Sequence, residues 1–170
     1  LGLDVLPMDY RQFGRSTGEL SEEAMLADAE AWYDEAVKRF PEDEIRVVGY
    51  SLGTTFASHV AAAKPVHDLA LLAPMQSVLE LAQRRYPFVP AFVSRYPLRT
   101  DLKLASDGVK ERVRILAFHG DKDKVVPLAS GIGLKAAFTD DDSFTIVEGA
   151  DHNELPFRSE VAARIHEKWQ

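Results

Sequence analysis

Short apolar runs alternate with amphipathic stretches along most of the chain. Runs of aliphatic or β-branched residues bounded by turn formers read as buried strands over residues 4–10, 45–50, 68–74, 113–119 and 144–147. Pro7 counts against a central place for the first, because proline cannot donate to a ladder. The intervening stretches carry a helical period. Ser21 is a good N-cap, Glu22 and Glu23 suit a first turn, and Met25, Ala29, Trp32, Ala36 and Phe40 recur at spacings of three and four until Pro41 closes the helix. Residues 53–63 are alanine-rich without an internal proline and read as a second helix. Further helices are expected near residues 78–85, over 128–138 behind Pro127, and over 156–168, where Val161, Ala162, Ile165 and Trp169 share a face.

Strand and helix in alternation predict an α/β fold, a three-layer doubly wound and mainly parallel sheet with helices on both faces. No repeat, low-complexity tract or linker divides the chain, so residues 1–170 read as one domain. Residues 77–112 break the rhythm. Their aromatic and proline-rich segment, from Tyr86 through Phe88 and Phe92 to Tyr96, reads as a small cap-like insertion that either lines an acyl pocket or packs over the sheet edge.

Composition narrows the function. Hydrophobic residues at 46% and charged residues at 28% are ordinary for a globular domain with a substantial core. A net charge of -7 argues against a nucleic-acid partner, which needs a basic face. The chain has no cysteine, which excludes disulfides, thiolate metal sites and cysteine nucleophiles. No apolar run approaches the roughly 18 residues that cross a bilayer. The chain opens on Leu-Gly-Leu-Asp, with neither an initiator methionine nor a basic signal start, and so reads as a processed product, an excerpt or a fragment. The cytoplasm is the default expectation, although no residue fixes a compartment.

Ligands of open α/β sheets bind beyond the C-terminal ends of the strands, so the residues there carry the candidate chemistry. At residues 49–53 a serine lies between two glycines, after a strand and before a helix, the setting of a nucleophile elbow. A serine hydroxyl needs a base within hydrogen-bond reach, and a histidine base needs a carboxylate to fix its tautomer. Ser51 follows the second expected strand, Asp121 and Asp123 follow the fourth, and His152 follows the fifth. Either aspartate has the right chemistry. The other strand ends expose Tyr10 to Gly14 and Pro74 to Gln76.

The chain resembles the α/β-hydrolase family along nearly its whole length. Residues 9–16 (Asp-Tyr-Arg-Gln-Phe-Gly-Arg-Ser) are similar to the family loop Asp-x-Arg-Gly-x-Gly-x-Ser, with Gln12 in place of a glycine. Gly49-Tyr50-Ser51-Leu52-Gly53 matches the elbow, residues 119–127 resemble the acid loop, and residues 149–153 resemble the histidine loop. The nearest branch is that of small, nearly capless serine hydrolases, which include acyl-protein and lysophospholipid-type esterases and thioesterases. The resemblance implies Ser51, Asp123 and His152 as catalytic residues. It implies Leu52, Tyr10, Phe13, Gly14 and Met75 as oxyanion or substrate-binding residues, a small-molecule or lipid acyl substrate that a membrane surface could present, and no cofactor or metal. The family's first three strands have no counterpart here. The third normally lies between the strand over 4–10 and the strand over 45–50, and the loop after it normally supplies one of two oxyanion amides. A preceding segment or a second chain is therefore expected to complete the fold.

The expected activity is hydrolysis of a carboxylic ester or thioester through an acyl-enzyme. Amide or peptide cleavage on the same residues, and a catalytically silent binding protein on the same scaffold, are its rivals. A metal site built from His119, Asp121, Asp123, Asp151 and His152 is disfavoured, since Val125 and Pro127 stand where oxygen ligands would be needed. His119 reads as a packed core residue, and residues 140–142, all aspartate, read as a solvated turn.

Overall fold

The structure, a computed structural model, describes residues 3–86, 96–139 and 143–169. Its elements in chain order are α1 (Glu22–Val37), β1 (Val47–Tyr50), α2 (Gly53–Ala63), β2 (Asp68–Leu72), α3 (Val78–Arg85), α4 (Thr100–Leu104), α5 (Asp107–Arg112), β3 (Arg114–Gly120), α6 (Leu128–Gly133), β4 (Ser143–Val147) and α7 (Ser159–Lys168). The four strands form one sheet in the order β1-β2-β3-β4, every pair parallel. The register pairs Tyr50 with Leu72, Leu72 with Phe118, and Phe118 with Thr145. Parallel pairing brings the C-terminal ends of β1, β3 and β4 to one rim of the sheet, and with them the loops that carry the candidate chemistry.

Two cores follow from the period-2 alternation of the strands. Leu69, Leu71, Ile115 and Ala117 join Met25, Ala29, Tyr33, Phe56 and Val60 from α1 and α2. Ala70, Leu72, Leu116 and Phe118 pack instead with Val147, Val161 and Ile165, which seats α7 on the opposite face. Residues of α4 and α5 also enter the first core, where Leu104 and Val109 are fully buried. Ser21 and Ser77 cap α1 and α3 by accepting from the amides of Ala24 at 3.1 Å and Glu80 at 2.9 Å.

Four expectations need correction. Residues 4–10 form no strand; the Leu6 carbonyl accepts from the Trp32 indole at 3.2 Å and is not a ladder acceptor. The apolar face of α1 runs through Met25, Ala29 and Tyr33, while Trp32 and Phe40 are 38% and 39% exposed. The helix expected over 128–138 breaks into α6 and a 3₁₀ turn, Leu134–Ala137, at a stretch weakened by Gly131 and Gly133. The closing helix begins at Ser159, after a separate 3₁₀ turn at Leu155–Phe157, and leaves Ala162 exposed. The expected aromatics Phe88 and Phe92 and the aspartates at 140–142 lie outside the described residues.

Candidate active site

Ser51 stands with Leu52 between β1 and α2, its φ at 53° in the left-handed region where a side chain costs about 1–2 kcal/mol. The surroundings hold it there. Its amide donates to the Leu72 carbonyl at 2.9 Å, and its carbonyl accepts from the Thr54 amide at 3.0 Å and the Thr54 hydroxyl at 2.6 Å. Gly49 makes the sharp turn sterically feasible: a Cβ there would lie 2.6 Å from the Gly53 carbonyl oxygen and 2.7 Å from the Thr54 Cα.

His152 reaches Ser51 from the loop after β4, with Nε2 3.0 Å from the serine Oγ. Its Nδ1 lies 2.7 Å from Asp123 Oδ2. A carboxylate only accepts, so Nδ1 carries the proton and Nε2 is left with a lone pair towards the hydroxyl. The Asp123 side chain is fully buried and the His152 side chain 9% exposed, so the contact between them is little weakened by solvent. Asp123 is fixed from its other oxygen, which accepts from the amides of Val125 and Val126, both at 2.8 Å.

The structure separates the two aspartates. Asp121 turns to the outside of the rim and accepts from the Gly149 amide at 2.7 Å, tying the loop after β3 to the loop after β4. His119 lies beneath, fully buried, as expected of a core residue. Its Nε2 is 2.9 Å from the Val126 carbonyl, and burial holds its pKa below the usual imidazole value despite that bond and the nearby Asp123 charge. It therefore stays neutral and donates to the turn that carries Asp123.

The remaining candidates are distributed unevenly. Leu52 precedes α2, so its N–H lies ahead of the helix's own hydrogen-bond ladder, beside Ser51. Tyr10 packs on Phe56 at 4.9 Å between ring centroids and on Phe13 at 6.4 Å. The Tyr10 hydroxyl is 3.2 Å from where a Gly53 side chain would begin, which places it over the start of α2, and burial raises its pKa. Phe13 is 60% exposed, and Gly14 is exposed with φ at 57°. Met75 is 3% exposed, so its side chain belongs to the packing beneath the rim. Gln12 occupies the position where the resembled loop has glycine, with φ at 64°. One residue escaped the sequence reading. Tyr50 donates its hydroxyl to the His152 carbonyl at 2.9 Å, and its place next to Ser51 was the available signal.

Comparison with known proteins bears on the family and the fold. A family model described as the alpha/beta hydrolase fold matches residues 1–114. The chain is 31% identical over 159 residues to an uncharacterized Mycobacterium tuberculosis protein, covering 91% of this chain and 54% of that one. It is 29% identical over 146 residues to the lysophosphatidylserine lipase ABHD12 of Danio rerio, covering 77% of this chain and 38% of the lipase. The chain thus spans about half the length of the first of these relatives and less of the second. Among solved structures, the Pyrococcus furiosus esterase PF2001 superposes with a TM-score of 0.69 at 17% identity, over 94% of this chain and 66% of the esterase. Family match, parallel sheet and elbow agree, and the chain belongs to the α/β-hydrolase family.

Proposed function

We propose that the chain carries the reacting centre of a serine hydrolase that cleaves carboxylic esters or thioesters through an acyl-enzyme. The observation that carries the reading is the run of contacts from Ser51 Oγ to His152 Nε2 at 3.0 Å and from His152 Nδ1 to Asp123 Oδ2 at 2.7 Å. Ser51 Oγ attacks the acyl carbon as Nε2 takes its proton. Asp123 orients the ring and stabilises the imidazolium, which returns the proton to the departing alkoxide or thiolate. Water then repeats the sequence on the acyl-serine. The Leu52 amide meets the developing oxyanion, and Tyr10, Phe13 and Gly14 form the substrate side of the rim, with Met75 packed beneath them.

The lipase named among the relatives, together with exposed Phe13, Leu52 and Val125, favours a lipid-like acyl substrate, with membrane-surface delivery as its natural route. A second oxyanion donor is assigned to a strand and loop added at the free edge of β1, from a preceding segment or a second chain. The test is labelling by a fluorophosphonate, which reacts with an activated serine. Adduct on Ser51, abolished in Ser51→Ala together with p-nitrophenyl ester hydrolysis, is the expected result. Equal turnover by Ser51→Ala would remove the serine from the mechanism.

A further inference from the structure

We propose that Tyr50, the residue immediately before the nucleophile, is a positioning residue that ties the histidine base to the strand carrying Ser51. This rests on the roles assigned above to Ser51 and His152. One side chain holds His152 at two points. The phenol hydroxyl donates to the His152 carbonyl at 2.9 Å, and the phenol ring lies 5.1 Å from the imidazole between centroids, inclined by 34°.

The need for such a tie follows from how the histidine loop is otherwise anchored. The Gly149 amide donates to Asp121 at 2.7 Å, and the Ala150 carbonyl accepts from the Lys122 amide at 3.1 Å; both lead to the loop after β3. The amides of Glu154 and Leu155 donate to Asp151 at 2.9 Å and 3.2 Å, within the loop itself. Towards β1, among the described residues, the polar ties are the Ser51 hydroxyl and the Tyr50 hydroxyl. Ser51 gives up its tie when Oγ bonds to the acyl group. Tyr50 keeps its own through both half-reactions, so the imidazole stays registered to the strand end from which water must next attack the acyl-serine.

Its chemistry suits this. Burial first, then the negative charges of Asp123 and Asp151, raise the Tyr50 pKa, so the phenol remains a donor wherever the histidine is a base. The side chain is 37% exposed, and its hydroxyl can therefore be removed without opening a sealed core.

Tyr50→Phe isolates the hydroxyl from the ring. The far-downfield proton resonance of the His152–Asp123 bond is expected to be sharp in the parent protein and broadened or lost in Tyr50→Phe, with faster amide exchange over residues 151–153. In ester hydrolysis, kcat per titrated serine should fall about fivefold to tenfold with KM unchanged, the loss that one net hydrogen bond carries. Tyr50→Leu, which also removes the ring, should lose more. An unaltered resonance and unaltered exchange in Tyr50→Phe would overturn the proposal. So would a fall in total activity matched by a fall in titratable serine with kcat per site preserved, the mark of a merely structural role. If the parent protein neither labels nor turns over, the hydrolase reading fails, while the resonance and exchange comparison still decides the role of Tyr50.

Discussion

Asp123 and Asp121 are two residues apart, and only Asp123 reaches the His152 imidazole. Asp123 spends one oxygen on two backbone amides and the other on His152, in a fully buried position, whereas Asp121 spends an oxygen on one amide in an exposed tie. Asp123→Asn presents a neutral group that no longer fixes the Nδ1 tautomer, and kcat is expected to fall by up to about 10⁴ with little change in KM. Asp121→Asn keeps an oxygen that can accept from the Gly149 amide, and should leave stability within about 1 kcal/mol and kcat within roughly tenfold. Steady-state kinetics of the two variants on one ester, beside their urea midpoints, make the comparison. A reversed ranking would move the acid to Asp121. Residue type and strand-end position made both aspartates legible in the chain. Residue chemistry alone left the two open; the family resemblance pointed to Asp123, and the turn directs the Asp123 side chain to His152 and that of Asp121 to the Gly149 amide.

At the scale of the element, the turn from β1 to α2 concentrates the physical demands. A Cβ on Gly49 would meet fixed backbone, the Gly53 carbonyl at 2.6 Å and the Thr54 Cα at 2.7 Å. A Cβ on Gly53 would meet only the Tyr10 hydroxyl at 3.2 Å, the end of a side chain that can turn aside. Gly49→Ala should therefore destabilise by about 1–3 kcal/mol and slow Ser51 labelling, while Gly53→Ala costs clearly less. Denaturant titration of the two variants checks the order, and equal losses would show that strand and helix separate freely at the elbow. The helix after the elbow was readable from alanine propensity, and the start of α1 from its Ser21 cap. What could not be read was set by contacts distant in sequence. On α1 both Trp32 and Tyr33 fit a helical face, and Trp32 is held outward by its bond to the Leu6 carbonyl. Gly131 lies inside α6, where a Cβ would clash with the buried His119 ring, and the expected helix gives way to a 3₁₀ turn after Gly133.

The whole molecule turns on the free side of β1. Apolar alternation over residues 4–10 resembles a strand, but a strand exists only where a neighbour offers its ladder, and the only strands among the described residues are those of the sheet β1-β2-β3-β4. Among the described residues β1 is bonded to β2 on one side only, and Val48 and Tyr50, on the same sheet face as Ala70 and Leu72, are 55% and 37% exposed, so β1 is an unusual edge strand for a parallel sheet. A further parallel strand would cover that edge and bring the loop after it to the same rim as Ser51. The elbow would then gain a donor opposite the Leu52 amide. Removing one oxyanion donor costs about 10²–10³ in rate, so supplying one should restore a similar factor. The expectation is that residues 1–170 alone react slowly with a fluorophosphonate and exchange the outward amides of β1 readily. A segment able to pair with β1, joined ahead of Leu1 or added as a separate chain, should protect those amides and speed labelling of Ser51 together. Labelling as fast without the segment as with it would place the whole oxyanion site within these residues, and protection without faster labelling would make the added strand a structural cover alone.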